Sequence, residues 1–368
     1  MARPLSVAAF VSPHGFGHAA RACAVMQALS ELEPAARFEV YTLVPEWFFA
    51  DSLACPFRYH ALHTDVGLVQ TTALTEDLDA TLARLDDFVP FEAGLVDRLA
   101  RELDGSGCRL VLADISPLGI AVARHARIPV ALVENFTWDW IYSAYLATHP
   151  AFERAIGALA PLFESADLRV QTEPVCRPAT RAATVAPVSR APRAARARTR
   201  HRLGLAPGEP TVLVTMGGVP WEHRALSALA ASGDAVFVVP GGSDRLERHG
   251  SLVALPHRSG IFHPDLVAAA DAVVGKLGYS TLAEAYAAAV PFAYVPRARF
   301  RESGPLASFV AGRVGGFALD PVEFESGAWL DAVPALLALP PAAAARGNGA
   351  GAAARLLGDL LRSGTRAG

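Results

Sequence analysis

Short apolar runs alternate with helical patterns along most of this 368-residue sequence, and few folds accommodate such an alternation. The first apolar run covers residues 5–12, and a helical pattern with one apolar face follows over residues 18–31. Runs of this kind form the buried strands of parallel sheets, whose faces are covered by the helices between them. The sequence therefore predicts an α/β fold with parallel sheets. The predicted strands cover residues 5–12, 38–44, 57–62, 109–114, 129–133, 168–171, 211–215, 235–239, 252–255, 272–274 and 292–295.

The strand pattern restarts at Thr211, which indicates two domains rather than one long sheet. The composition supports two cores, because 52% of the residues are hydrophobic and 19% are charged, a balance that excludes an intrinsically disordered chain. We expect a first domain over residues 1–186 and a second domain over residues 187–345. A last amphipathic helix, within residues 346–368, is expected to pack back toward the first domain.

Charge and cysteine content exclude several classes of protein. The formal net charge of −3 gives no general attraction for nucleic acid. The four cysteines include no CxxC pair, so the sequence indicates neither a zinc site nor a disulfide framework, and we expect no metal. No apolar run approaches the roughly 20 residues that cross a bilayer, and the apolar start of the chain lacks a signal-peptide cleavage site. We expect a cytoplasmic protein without a membrane span.

Residues 177–202 carry eight arginines and no acidic residue. This segment is either an arm that binds anions or nucleic acid, or a solvated linker that leads into a surface helix over residues 194–203. No aromatic residue is interleaved for base stacking, which favours the linker. Nucleic acid is therefore not an expected partner.

The loop after the first predicted strand combines glycines with two histidines, His14 and His18. Gly15, Gly17 and Ala20 nearly match the G-x-G-x-x-G/A fingerprint of dinucleotide-binding proteins, but the acidic residue expected at the end of the second strand is missing. The two glycines let a ligand come close to the backbone, at a helix N-terminus that favours negative charge. Each histidine is either a general base near neutral pH or a residue that packs at the start of the helix.

Asp114 ends the fourth predicted strand, and ligands of parallel sheets bind outside such strand ends. Its carboxylate could hold the imidazole of a first-loop histidine such as His18 and form a His–Asp dyad. Alternatively, Asp114 caps the helix that follows. The sequence leaves both interpretations open.

An aromatic segment follows the next strand and contains Trp138, Trp140, Tyr142 and Tyr145. Flat aromatic faces beside hydrogen-bonding groups suit a sugar or another half-apolar substrate. The other interpretation is plain helix packing, in which the rings are buried. The sequence does not exclude either.

A glycine pair and a single lysine mark possible phosphate contacts in the second half of the chain. Gly217 and Gly218 follow a predicted strand, where they either bring backbone amides close to a phosphate or form an ordinary tight turn. Lys276 is the only lysine of the chain. Its ammonium group could neutralise a diphosphate.

A helix start lies directly after Lys276. Gly278 belongs to the preceding loop, and the helix is predicted to begin at Ser280 or Thr281, with exposed amides and a dipole that favour phosphate. Glu284 lies one helical turn further on. It either accepts hydrogen bonds from ribose hydroxyls or forms a capping box with Thr281.

Together these segments resemble the GT-B glycosyltransferase superfamily, in which two Rossmann-like domains face each other across a cleft. The likeness is carried by three stretches that occur in the same order, HGFGHAAR at residues 14–21, NFTWDWIY at 135–142 and GKLGY at 275–279. They are most similar to the glycosyltransferase-like N-terminal region of plant L-arabinokinases. The second domain also resembles the peptidoglycan N-acetylglucosaminyltransferases. The chain has no Walker-type phosphate loop, so we expect no kinase activity.

The resemblance implies roles for several of the candidate residues. His18 would be the catalytic base of an inverting enzyme, with Asp114 as its partner. The donor-binding residues that the resemblance implies are Gly217, Gly218, Ser280, Thr281, Glu284 and Glu302. From the residues themselves we also expect donor contacts at Gly17, Lys276 and Gly278. The residues that we expect to bind the acceptor are His14, Trp138, Asp139 and Tyr142.

The activity that the resemblance implies is hexosyl or N-acetylhexosaminyl transfer from a nucleotide diphosphate sugar to a small-molecule acceptor. We expect uridine as the base, inversion at the sugar, and neither a metal nor any cofactor besides the nucleotide sugar. Three alternatives stay open. They are a nucleotide-sugar hydrolase or epimerase on the same fold, a non-catalytic sugar-nucleotide-binding protein, and a nicotinamide-dependent dehydrogenase.

Overall fold

The computed structural model describes residues 5–217, 225–340 and 347–363, and the chain divides into two compact units. Of the described residues, the first unit contains 5–71, 76–189 and 348–363. The second unit contains 72–75, 190–217, 225–340 and 347. The chain therefore passes into the second unit after Ser189, and its last helix belongs to the first unit.

The first unit is built on a seven-stranded parallel sheet. The first nine strands of the chain are β1 (Leu5–Val11), β2 (Ala36–Thr42), β3 (Phe57–Ala61), β4 (Val69–Thr72), β5 (Thr75–Asp77), β6 (Cys108–Asp114), β7 (Val130–Glu134), β8 (Leu168–Thr172) and β9 (Ala182–Val185). The sheet order is β3-β2-β1-β6-β7-β8-β9, whereas β4 and β5 pair only with each other. The strand order changes direction between β1 and β6, the point where ligands of such sheets bind.

All six strands predicted for the first half are present in this sheet. Three short strands, β4, β5 and β9, were not predicted, because polar and small residues give them no apolar run. The helices of this part of the chain are α1 (Phe16–Leu32), α2 (Glu46–Ser52), α3 (Leu78–Phe88), α4 (Ala93–Gly105), α5 (Pro117–Ala126), α6 (Trp138–Ser143) and α7 (Phe152–Glu164).

Helix α1 is buried along most of its length, because alanines and other small residues let the sheet and neighbouring helices approach closely. The last helix of the chain packs against it. Met26 of α1 shares one hydrophobic cluster with Leu357 and Leu361 of that helix. The last helix of the chain therefore contributes to the core around α1.

The second unit is built on a six-stranded sheet. Its strands are β10 (Thr211–Thr215), β11 (Val236–Pro240), β12 (Glu247–His249), β13 (Leu252–Leu255), β14 (Ala272–Lys276) and β15 (Phe292–Val295). Their order is β12-β13-β11-β10-β14-β15, and all neighbours are parallel except β12, which is antiparallel to β13. The five strands predicted here are present, and only the short, charged edge strand β12 was not predicted.

The remaining helices complete both units. They are α8 (Arg196–Arg202), α9 (Leu226–Ala231), α10 (His263–Ala269), α11 (Tyr279–Ala288), α12 (Ser303–Phe309), α13 (Pro321–Ser326), α14 (Val333–Leu337) and, in the first unit, α15 (Ala350–Ser363). A π-helical turn (Val310–Val314) continues α12, and a 3-10 turn (Ala328–Ala332) precedes α14.

The arginine-rich segment is only in part the solvated linker that the sequence analysis favoured: the predicted surface helix is present as α8, but other parts of the segment are structured and buried. It contains β9, and the side chains of Arg190 and Arg200 are almost completely buried. Arg200 donates hydrogen bonds to backbone carbonyls of the second unit, including that of Ala269 at 3.1 Å. The guanidinium of Arg200 therefore acts as an internal hydrogen-bond donor to backbone carbonyls, whereas that of Arg190 donates to the carboxylate of Glu284.

Candidate functional site

The loop after β1 brings His18 to the carboxyl end of the first sheet. Gly15, the N-cap of α1, has a φ of 79°, a left-handed conformation that favours glycine. The helix consequently begins at Phe16, somewhat earlier than predicted, and Gly17 lies in its first turn. His18 is 8% exposed, so its ring is nearly enclosed by the protein. That Gly17 contacts a donor stays a prediction.

His18 and Asp114 meet as a dyad. His18 Nδ1 lies 2.9 Å from Asp114 Oδ1 at the end of β6. Asp114 does not cap α5, because that role belongs to Ser116, whose side chain accepts a hydrogen bond from the backbone N–H of Gly119. A histidine that donates its Nδ1–H to a carboxylate presents Nε2 as the proton acceptor.

Arg21 completes this cluster, although the sequence analysis assigned it no role. Its Nε and Nη2 atoms donate to the two carboxylate oxygens of Asp114 at 2.8 and 2.6 Å, and its Nη1 donates to Asn135 Oδ1 at 2.7 Å. Arg21 follows His18 by three residues, so both side chains lie on one face of α1. This three-residue spacing is the sequence feature from which the role of Arg21 could have been predicted.

The charge of Asp114 follows from this pairing. Burial raises the pKa of Asp114, but the guanidinium of Arg21 and the hydrogen bond with His18 outweigh burial and hold the pKa below its usual value. The carboxylate therefore stays ionised inside the protein and can stabilise an imidazolium at His18.

The aromatic segment supports the cluster from inside the core. Trp138 and Tyr142 are each 1% exposed, so neither ring offers the open face that a sugar would need. Tyr142 donates its hydroxyl hydrogen to the carbonyl oxygen of Gly67 at 2.8 Å. The indole of Trp138 lies edge-on to His14, with ring centroids 5.1 Å apart. Packing is thus the interpretation that the structure supports for these two rings.

The other two predicted acceptor residues have protein partners as well. Asp139 is buried and accepts a hydrogen bond from Arg177 at 3.2 Å. His14 is partly exposed, and its Nε2 atom lies 2.9 Å from Gln70 Nε2. Of the four predicted acceptor residues, His14 is therefore the one with a partly exposed side chain.

Asp65 is a buried carboxylate beside the dyad that sequence reasoning missed. Its two oxygens accept hydrogen bonds from Ser12 Oγ at 3.1 Å and Trp138 Nε1 at 2.9 Å. Burial raises the pKa of Asp65 to about 7, and the charge of Asp114 adds to the rise, against the opposing effect of these two hydrogen bonds. Asp65 is therefore a group of the first unit that changes charge near neutral pH.

Replacing Asp65 by asparagine is expected to remove a pH dependence from the stability of the first unit. The folded-state pKa of about 7 exceeds the value of about 3.9 for unfolded chains. The folded protein therefore binds the extra proton, and wild-type stability falls as the pH rises from about 4 to about 7, by at most about 4 kcal/mol. Thermal unfolding of wild type and Asp65→Asn from pH 4 to 8 measures this.

The difference in stability between Asp65→Asn and wild type should increase in favour of the variant from about pH 4 to about pH 7 and level off above it. Asp104→Asn is the matched control, because Asp104 is exposed on α4. Curves of wild type and Asp65→Asn that stay parallel would exclude a titrating Asp65.

In the second unit, strand ends and a helix start form the predicted phosphate-binding region. Gly217 follows β10 with a φ of 71°, and a Cβ atom there would meet nothing within 4 Å. Gly218 lies outside the described residues. Helix α11 begins at Tyr279, with Gly278 as its N-cap and no side-chain cap. Because glycine has no side chain, the N-cap itself offers no acceptor to the first amides of the helix, and such a helix start favours an anion.

The predicted helix start needs one correction. Because α11 begins before Ser280, both Ser280 and Thr281 lie inside its first turn, with Ser280 partly exposed and Thr281 buried. Thr281 is thus not the N-cap, and it forms no capping box with Glu284.

Glu284 instead lies between two side chains that the sequence analysis did not assign. Its Oε1 accepts a hydrogen bond from Arg190 Nη2 at 3.0 Å, and its Oε2 lies 2.8 Å from His263 Nδ1. Burial raises the pKa of Glu284, but Arg190 and His263 outweigh burial and lower it. The second unit thus contains a histidine–carboxylate–arginine cluster, as the first unit does.

His263 extends the second cluster to the end of β10. Its Nε2 lies 3.3 Å from Thr215 Oγ1, which accepts a hydrogen bond from the backbone N–H of Gly217 at 3.3 Å. Any ribose that binds Glu284 would therefore share its carboxylate with His263 and Arg190. The ribose contact stays a prediction.

Lys276 and Glu302, two further donor-binding predictions, lie near each other at the end of β14. Glu302 is 5% exposed and forms an ion pair with Arg297. Burial and the neighbouring Arg297 lower the pKa of Lys276 to about 7. Lys276 is consequently only partly charged at neutral pH, and the neutralisation of a diphosphate by its ammonium group stays a prediction.

Two general properties of the described residues bear on the class of protein. No group of three or more His, Cys, Asp or Glu side chains in residues 5–217, 225–340 and 347–363 is arranged to hold a metal ion. Within the same ranges, no helix combines the length and the apolar character that a membrane span requires.

Solved structures of similar fold are glycosyltransferases. The glycosyltransferase SnogD from Streptomyces nogalater has a TM-score of 0.57 and 18% identity, with 98% of each chain covered. UGT89C1 of Arabidopsis thaliana, complexed with UDP, has a TM-score of 0.63 and 14% identity, covering 98% of this chain and 99% of its own. VinC, complexed with dTDP, has a TM-score of 0.59 and 16% identity, and the match covers 98% of this chain and 100% of VinC. The fold is the GT-B glycosyltransferase fold, which confirms the prediction.

Among curated proteins, the L-arabinokinase of Arabidopsis thaliana is 28% identical over 360 residues. The match covers 96% of this chain and 34% of the relative, so the chain spans about a third of that protein's length. This similarity confirms the resemblance predicted from the three sequence stretches. No protein-family model matches the chain.

Proposed function

We propose that the protein is a glycosyltransferase that moves a hexosyl or N-acetylhexosaminyl group from a nucleotide diphosphate sugar to a small-molecule acceptor. The transfer inverts the anomeric carbon, and the acceptor is a hydroxyl or an amine. UDP is the expected nucleotide. The proposal uses no metal ion, because the N-terminus of α11 and nearby cations take up the charge of the leaving diphosphate.

The observation that carries this proposal is the His18–Asp114–Arg21 cluster. A buried, ionised carboxylate fixes Nδ1 of the imidazole at 2.9 Å, and Arg21 holds that carboxylate through two hydrogen bonds. Such an arrangement directs Nε2 toward a substrate and stabilises the imidazolium that forms when it accepts a proton. In this proposal His18 is the catalytic residue, and Asp114 and Arg21 position it.

The chemical step is a single displacement. The acceptor oxygen or nitrogen attacks the anomeric carbon while its proton passes to His18 Nε2. The bond between the anomeric carbon and the diphosphate oxygen breaks, and the diphosphate leaves with the electron pair. Attack from the face opposite the leaving group inverts the anomeric configuration.

The second unit supplies the features of a donor site. The uncapped first turn of α11 and the open glycine Gly217 favour a diphosphate, and the bound UDP and dTDP of the similar structures support this choice of ligand. Glu284 is the proposed ribose contact and Glu302 the proposed sugar contact. Their present partners, Arg190, His263 and Arg297, would hold both carboxylates in place.

Calorimetric binding followed by product analysis tests the proposal. UDP, dTDP, GDP, ADP and NADH are titrated into the protein, and selective binding of a nucleoside diphosphate is expected. Mass spectrometry of UDP-sugar incubations with candidate acceptors should then show a glycosylated product and free UDP. A free or epimerised sugar without any acceptor would replace transfer with hydrolysis or epimerisation. Binding of NADH alone would overturn the proposal in favour of a dehydrogenase.

A further inference from the structure

The end of β14 brings the only lysine of the chain next to the N-terminus of α11. Lys276 is paired in register with Val295 of β15, and the backbone N–H of Leu277 donates to the carbonyl of Val295 at 3.0 Å. A Cβ atom built on Gly278, the N-cap of α11, would lie 4.0 Å from Lys276 Cε. The lysine side chain therefore runs beside the uncapped first turn of the helix.

Arg297 follows β15, and its charge acts on this lysine. Its Nη2 atom forms the ion pair with Glu302, its guanidinium stacks 3.9 Å from the centroid of Phe300, and Ser303 Oγ donates to its carbonyl at 2.8 Å. Arg297 is 6% exposed, yet its Nε–H has no hydrogen-bond partner among the described residues. A buried N–H without an acceptor is costly, so the site lacks one hydrogen-bond acceptor.

The charges of this cluster do not balance either. Two basic side chains, Lys276 and Arg297, share the single carboxylate of Glu302, which is the N-cap of α12. In the described part of the chain no carboxylate lies within 4 Å of Lys276 Nζ. The cluster therefore carries more positive than negative charge and would stabilise one further anion. The nearby amides at the start of α11 also favour an anion.

We propose that Lys276 and Arg297, with Glu302 between their charges, form an oxyanion subsite in which Lys276 takes up a proton when a phosphate or carboxylate of the ligand binds. This inference deepens the proposed function and rests on it. The oxyanion is either the diphosphate of the donor or an acidic group on its sugar.

The proton uptake follows from the state of the empty site. Burial and Arg297 lower the pKa of Lys276 to about 7, against the opposing charge of Glu302. At pH 7 about half of the Lys276 side chains are thus neutral. An anion in contact with the ammonium raises this pKa again, so binding at pH 7 should take up about 0.5 proton.

The single lysine allows a direct test by NMR on the intact protein labelled with [6-¹³C]lysine. Because Lys276 is the only lysine, one side-chain resonance is expected. Its titration midpoint should lie near 7 without ligand and rise above about 9 with saturating UDP. A midpoint near 10 without ligand, or one that neither UDP nor UDP-glucuronate moves, would overturn the subsite.

Two variants test the same inference by calorimetry. Lys276→Arg keeps the charge but does not titrate, so it should bind UDP with about 0.5 proton less uptake than wild type at pH 7. Wild-type affinity should fall about tenfold from pH 7 to 8.5, whereas that of Lys276→Arg should stay nearly constant. Lys276→Met should bind at least tenfold more weakly at pH 7. Equal proton uptake by wild type and Lys276→Arg would exclude Lys276 as the proton acceptor.

The choice of ligands separates the two sources of the oxyanion. A shift of the lysine resonance with UDP or inorganic pyrophosphate assigns the subsite to the diphosphate. A shift with UDP-glucuronate that exceeds those with UDP and UDP-glucose assigns it to an acidic sugar. Binding of UDP and UDP-glucuronate without a lysine response to either overturns the subsite and leaves the proposed function standing. Failure of all four ligands to bind overturns both.

Discussion

Replacing His18 by alanine should lower the rate of sugar transfer by about 10²- to 10⁴-fold, the range that general base catalysis contributes. The substitution removes the proposed proton acceptor but leaves Asp114 with both of its hydrogen bonds from Arg21. The first unit should therefore remain folded. Binding of UDP should change less than twofold, because the proposed donor residues except Gly17 belong to the second unit. Steady-state kinetics and calorimetry measure the two quantities.

His125→Ala is the matched control for this experiment. His125 lies in the last turn of α5 in the same unit, where it forms an exposed ion pair with Asp97. We expect wild-type transfer from this variant. Transfer at the wild-type rate by His18→Ala would remove His18 from the mechanism. If the wild-type protein itself binds the nucleotide sugar without any turnover, it is a binding protein and not an enzyme.

Glu284→Ala should both destabilise the second unit and weaken nucleotide binding. The change leaves the buried guanidinium of Arg190 without its carboxylate, and breaking a buried ion pair in this way typically costs about 3–5 kcal/mol. For a unit of this size that corresponds to a fall in Tm of roughly 10 °C. Scanning calorimetry measures the stability, and titration with UDP at a temperature where the variant is folded measures the affinity.

Glu284→Gln separates the two effects, because the amide keeps the size of the side chain and an oxygen acceptor while it loses the charge. It should retain more of the UDP affinity than Glu284→Ala. Glu323→Ala is the control, since Glu323 is exposed on α13, and a surface change of this kind alters stability by about 0.5 kcal/mol or less. Unchanged UDP affinity in folded Glu284→Ala would exclude the ribose contact.

The sheets and the location of the candidate sites were predictable because their signals are local. A buried parallel strand requires a continuous apolar run, so each long strand, such as β1 or β10, could be identified by its own residues. The carboxyl end of each strand then marks where polar side chains can meet a ligand. His18, Asp114 and Lys276 could therefore be singled out from the sequence.

The partners of those residues could not be predicted, because they come from distant parts of the chain. Glu284 meets Arg190 from 94 positions away, and the indole of Trp138 reaches Asp65 across 73 positions. No periodicity links residues at such separations. Arginine-rich composition was also misleading, since an arginine that satisfies buried carbonyls looks the same in sequence as one on the surface.

The sequence by itself determined the two-sheet α/β architecture and the strand ends at which chemistry is possible, because hydrophobic periodicity and strand termini are properties of neighbouring residues. Only the tertiary structure decided which carboxylates are ionised, which aromatic rings are buried and which cations lack a counter-charge. Burial and charge pairing depend on what the folded chain places within a few ångströms, and for Asp65, Lys276 and Glu284 those neighbours come from separate elements.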